Sequence, residues 1–114
     1  MTNTTPQTVT MDYLESLVTG ETFLTTPEAP TLTICVLTLK NGFSLRGESA
    51  CADPRAFNAE KGREFARRDA IQKAWPLEGY LLRQRLWIEE CRAAGKPISD
   101  ADLMGDEAPA APQA

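Results

Sequence analysis

Histidine is missing from this chain of 114 residues. Its absence removes the usual near-neutral general base and a common zinc ligand. Cysteine is scarce: Cys35, Cys51 and Cys91 make an odd number with no C-x-x-C spacing. That pattern argues against a disulfide framework and fits three small core residues instead. No segment approaches the run of about 20 apolar residues that a membrane helix needs. The start, MTNTTPQTVTMDYLES, lacks the basic residues and apolar stretch of a signal peptide. These absences predict a cytoplasmic protein. There is also no Cys–His pair and no Gly-rich phosphate loop ahead of a helix. No catalytic residue, metal site or cofactor is therefore assigned, and the chain reads as non-enzymatic.

Charge is unevenly spread. The net charge is −4. Residues 1–54 carry 2 basic and 6 acidic side chains, residues 55–96 carry 10 and 6, and residues 97–114 carry none and 4. A locally basic middle thus sits inside an acidic chain, and such a local field selects anions. Extended nucleic acid is disfavoured by the acidic total and by the lack of a recognised binding motif.

Local signals predict an α+β domain over 10–97, with a flexible arm at 1–9 and an acidic, Pro/Ala-rich, disordered tail at 98–114. Thr10 can cap a short helix over 11–19 that Gly20 ends. Residues 21–30 read as a loop, with Phe23 and Leu24 tucked against the core. TLTICVLTLK and FSLRGESA flank Asn41-Gly42, which predicts an antiparallel β-hairpin (31–40 and 43–50) with a type I′ turn. That turn pairs 38 with 45, 36 with 47 and 34 with 49. Leu32, Ile34, Val36, Phe43 and Leu45 then form the core face. Leu37 and Leu39 fall on a mixed second face beside Arg46 and Glu48. Gly47 leaves room for a bulge or a close backbone approach.

Asp53-Pro54 signals a helical turn, and Asn58 can cap a helix over 59–75. Gly62, Ala66, Ala70 and Ala74 form a stripe that another backbone can approach closely. Pro76 should bend the chain at Trp75-Pro76, before a second helix over 77–93 that ends at Gly95. The expected core also includes Ala66, Ala70, Trp75, Leu77 and Leu81. The apolar second hairpin face and the wide apolar arc of the second helix predict a homo-oligomer, most simply a two-fold dimer.

The motifs NGF, GESACADP and WPLEGYLL lie within residues 31–86. At these spacings they resemble a family of small tailed-phage and prophage proteins named for gene products forty-nine and sixty-six of two phages. The resemblance implies a phage accessory gene acting in the host cytoplasm. It brings no catalytic residues.

The candidate site is the arginine-rich helix. Arg63 and Arg67 share a face, and with Arg46 they are expected to grip a phosphorylated, nucleotide-type molecule, with Trp75 or Tyr80 stacked on its base. The bland alternative is a solvated face of intrahelical ion pairs. Three functions follow: sequestration of a small phosphorylated host signal in counter-defence, docking onto a host or phage protein to inhibit or redirect it, and a minor virion or assembly role.

Overall fold

A computed structural model describes residues 7–104. Contacts divide it into two compact units after Gly79. The first unit holds helix α1 (Met11–Ser16), strands β1 (Val18–Thr26), β2 (Ala29–Leu39) and β3 (Ser44–Ala50), a 3-10 turn (Pro54–Ala56) and helix α2 (Ala59–Gln72). Helix α3 (Ala74–Ala94) begins in the first unit, and α4 (Asp100–Met104) lies in the second. The architecture is α+β, with a three-stranded antiparallel sheet in the order β1-β2-β3. Of the expected arm, residues 1–6 lie outside the described residues, and Val9 packs against the core. Of the expected tail, residues 105–114 lie outside them too, while α4 adds a helical turn at its start.

The capping signals act where their chemistry predicts. Thr10 Oγ1 accepts from Tyr13 N at 3.1 Å, Asp53 Oδ1 from Arg55 N at 3.0 Å, and Asn58 Oδ1 from Lys61 N at 3.1 Å. Gly95, at φ +70°, ends α3 in the left-handed conformation, with Lys96 N donating to Cys91 O.

Three expectations change. First, α1 stops at Ser16, and residues 18–26 form a strand where a helix end and a loop were expected. The run V-T-G-E-T-F-L-T-T is rich in β-branched and aromatic residues, which a pleated surface accommodates well. Second, the helix break sits at Lys73 and not at Trp75-Pro76. A proline ring collides with the carbonyl four residues back, here Gln72, so α2 ends there and Pro76 is accommodated in the first turn of α3.

The third change matters most. The β2–β3 register pairs Thr38 with Ser44, Val36 with Arg46, Cys35 with Gly47 and Ile34 with Glu48, one residue away from the expected pairing. Among the described residues no side-chain-bearing residue has positive φ, so Asn41 does not supply the first half of a type I′ turn. A three-residue connection forms instead, with Gly42 alone at φ +88°, Gly42 N donating to Leu39 O, and Asn41 Oδ1 accepting from Phe43 N. A slip of one residue turns each side chain of the slipped strand toward the other partners. Leu37 and Leu39, expected on the second face, are buried under α2 with Cys35 and Leu45. Leu32, Ile34 and Val36, expected in the core, are half-buried on the outer face, turned away from α2. Phe43 is 52% exposed at the hairpin end, and Leu77 and Leu81 are also exposed.

The alanine stripe packs on β2 and β3. Gly62, Ala66, Ala70 and Ala74 are all buried. A Cβ added at Gly47 would stand 2.1 Å from Ala70 N and 2.2 Å from Ala66 O, so the strand and helix backbones touch there. The same helix protects the sheet edge. Asp69 accepts from Glu48 N at 2.9 Å, and Lys73 Nζ donates to the Arg46 carbonyl. These side chains occupy two outward backbone groups of β3 that would otherwise recruit another strand.

Gly47→Ala and Ala70→Leu should each lower stability by about 1–3 kcal/mol or more, because neither backbone can give way without parting the layers. Gly79 sits in a helix with nothing within 4 Å of an added Cβ. Gly79→Ala should therefore raise stability by about 0.5–1 kcal/mol. Urea unfolding midpoints of the three variants check the contrast.

Candidate functional site

The five candidate side chains are not brought together. Arg67 points toward α1 and β1, where it forms a two-pronged ion pair with Glu15, Nη1 to Oε2 at 2.8 Å and Nη2 to Oε1 at 2.7 Å. Its Nε lies 3.4 Å from Glu21. Only 29% of the Arg67 side chain is exposed. The hydrogen bond from Arg67 holds the Glu15 carboxyl below its ordinary pKa, and the same bond raises the pKa of Arg67. This guanidinium is a clamp between α2, α1 and β1, satisfied from within the chain.

Arg46 lies on β3 opposite Val36, on the outer face, whereas neighbouring Gly47 faces α2. The sheet therefore separates Arg46 from Arg63 and Arg67. Trp75 packs against the core of the first unit. Tyr80, 69% exposed, belongs to the second unit, where it lines a groove with Gln84, Trp87 and Asp102. Much of the remaining basic helix is the solvated face of ion pairs: Lys61 and Arg68 each lie 3.7 Å from Glu64, and Lys73 lies 3.9 Å from Asp69.

Arg63 differs. No ion pair engages it among the described residues, and it lines a groove of about 530 Å³ with Phe23, Thr26, Pro27, Thr33 and Phe57. A second groove of about 300 Å³, on which Phe57 also borders, carries Lys61, Cys51 and Phe65. Phe57 owes its position to the start of α2. It precedes the Asn58 cap and lies against Gly62, four residues into the helix, in the manner of a hydrophobic staple. Gly62 is needed there, because a Cβ would come within 2.8 Å of Thr33 Oγ1. Phe57 and Phe23 are the aromatic surfaces beside the free arginine, and neither was singled out from the sequence. The spacing Phe57-Asn58-x-x-x-Gly62 was the available signal for the first. Phe23 required knowing that β1 is a strand.

The Cys35 thiol is buried under α2, and burial pushes its pKa up, which keeps it protonated and unreactive. Cys51 donates its thiol hydrogen to the Asp53 carbonyl at 3.2 Å. Among the described residues no group of three or more Cys, Asp or Glu side chains is arranged to hold a metal ion. No described helix is long and apolar enough to cross a membrane.

The family model described as "Phage protein (N4 Gp49/phage Sf6 gene 66) family" matches residues 9–86, well over half of the chain. No curated protein and no solved structure matches it.

The Arg67 clamp has a pH signature. Glu15 has a depressed folded pKa, so its contribution to stability is present above its ordinary value of 4.5 and lost as pH falls through the lower folded value. Arg67→Ala should cost about 1–2 kcal/mol at neutral pH, between the worth of an exposed pair and that of a charged hydrogen bond. The gap between wild type and variant should narrow below pH 4.5. Denaturation curves from pH 3 to 7 measure it, and a gap that stays constant would remove Glu15 as its source.

Proposed function

Because the chain belongs to the N4 Gp49/phage Sf6 gene 66 family of phage proteins, we propose that it acts in the infected host as a binding protein that sequesters a small phosphorylated molecule of nucleotide type. The observation that carries this reading is Arg63, a guanidinium with no acidic partner among the described residues, beside a groove walled by two phenylalanines. A free arginine fork grips a phosphate through two parallel charged hydrogen bonds, and a flat aromatic ring receives a base. The groove volume falls within the range of small-molecule sites. Phe57 and Phe23 take the stacking role first given to Trp75 and Tyr80, and Arg63 acts without Arg46 and Arg67. In a phage protein, removing a host nucleotide signal from circulation would blunt a defence that depends on it.

A second reading is docking onto a host or phage protein. It is favoured by the outer face of the sheet, turned away from α2, where Leu24 is 49% exposed beside half-buried Ile34 and Val36.

Calorimetry of wild type, Arg63→Ala and Arg63→Lys against cyclic dinucleotides, mononucleotides and ADP-ribose derivatives separates the two. The first reading expects one ligand class to bind wild type, and Arg63→Ala to weaken it roughly tenfold or more, the worth of a charged bidentate contact. Arg63→Lys should restore part of the loss, since a point charge lacks the fork. A wild type that binds none of them leaves the docking reading in possession.

A further inference from the structure

The outer face of the sheet is built symmetrically about one row of residues. Phe23, Cys35 and Gly47 are register partners across β1, β2 and β3. Their own side chains, or for Gly47 its missing one, face α2. The residues one step to either side face outward. On β2 these are Ile34 and Val36, on β3 Glu48 and Arg46, and on β1 Leu24 and Thr22. The aliphatic side chains of Leu24, Leu32, Ile34 and Val36 are contiguous there, and no element of the first unit lies over them. Neither Arg46 nor Glu48 makes an ion pair among the described residues, although they stand two residues apart on one strand.

A half-turn about an axis parallel to the Phe23–Cys35–Gly47 row and midway between two facing sheets exchanges the two sides of that row. It sets Ile34 over Val36 of a second copy and Arg46 over Glu48, and the reciprocal contacts follow automatically because a two-fold interface is isologous. The pattern is self-complementary in both shape class and charge: aliphatic meets aliphatic in the middle, and each cation meets an anion at the rim. We propose that this face is the interface for a second copy of the chain, packed sheet on sheet about that two-fold axis.

The distances are reasonable for such an arrangement. Facing sheets stand about 10 Å apart, and neighbouring strands about 4.8 Å apart. Aligned sheets cross at about 30°, which displaces β3 from its counterpart by only about 2.5 Å, within reach of an arginine and a glutamate extended toward each other. Association through the β3 edge is less favourable, because Asp69 and Lys73 occupy its Glu48 N–H and Arg46 carbonyl. The interface is also separate from the Arg63 groove, which lies on the α2 side of the sheet. Dimerisation and ligand binding can therefore fail independently.

Charge reversal tests the axis itself. Sedimentation equilibrium of the wild-type chain at micromolar concentration should give twice the 12.5 kDa chain mass. R46E sets acid against acid across the axis, and E48R sets base against base. Each alone should raise the dimer dissociation constant roughly tenfold or more, with an unchanged circular dichroism spectrum because both side chains are exposed. An equimolar mixture of the two variants pairs opposite charges at both contacts and should restore the dimer, as should the double variant R46E/E48R. A monomeric wild type overturns the proposal. So does a dimer indifferent to both single reversals, and so does a mixture that fails to reassociate. A monomeric wild type that instead retains a host protein, lost in V36D, would assign the face to the docking reading.

Discussion

The contact between Gly47 and the backbone of α2 at Ala66–Ala70 governs the first unit. A helix normally rests on a sheet at the distance its side chains impose. Here the glycine on β3 and the alanines on α2 remove those side chains, and main chain meets main chain. Everything that Leu37, Leu39, Leu45 and Cys35 bury depends on that closeness, because no larger side chain props the layers apart. The same closeness brings Asp69 and Lys73 within reach of the outward backbone groups of β3. Edge protection and core packing are thus two results of one approach. It also fixes which face of β3 turns inward. Gly47 must face the helix, so Arg46 and Glu48 must face away, and the opposite choice would drive a charged side chain into the alanine stripe.

The β2–β3 register explains which parts of the fold could be read from the sequence. Thr10, Asp53 and Asn58 were legible as caps because a cap is decided by a few neighbouring atoms. The alanine stripe and the close approach at Gly47 were legible because both are statements about missing side chains. The pairing of β2 with β3 was not, although the Asn41-Gly42 turn was seen. Asn41 and Gly42 suit both a two-residue turn and a three-residue connection with Gly in the left-handed conformation, and both are common in hairpins. Gly47 faces the helix in either register, so the difference lies in β2, where Cys35, Leu37 and Leu39 join it under α2 in place of Ile34 and Val36. One residue of slip then reversed the assignment of Leu37 and Leu39 against Ile34 and Val36. Strand β1 escaped for a related reason: Gly20 resembles a helix stop when its pairing with Thr38 is unknown.

The site was legible only in part, and again the reason is tertiary. A run of arginines on a helix states that positive charge is present, not whether it is already neutralised. Arg67 meets Glu15 and Glu21, residues from α1 and β1 that lie far back in the chain. Lys73 serves the sheet edge, and Arg68 pairs with Glu64 while lying 5.3 Å from the centre of the Phe65 ring. Part of the positive charge of the middle segment is therefore compensated from the first 54 residues, through Arg67 and through Arg55 with Asp53, while Lys61, Arg68 and Lys73 pair within the segment itself.

Subtracting those internal pairs leaves a shorter and more informative set. Arg63 and Arg46 are the candidate arginines without an acidic partner among the described residues, and they lie on opposite sides of the sheet. A charge held in an ion pair is already compensated, and an incoming anion must displace a carboxylate to use it. An uncompensated arginine beside a concave or apolar surface carries no such cost. Arg63 borders a groove with aromatic walls, a setting for a small anion. Arg46 borders a flat aliphatic face and has Glu48 beside it, a setting for a surface that offers both an acid and a base. The two arginines thus point to ligands of different size by the shape of what surrounds them. Shape, in turn, follows from which face of the sheet α2 packs against.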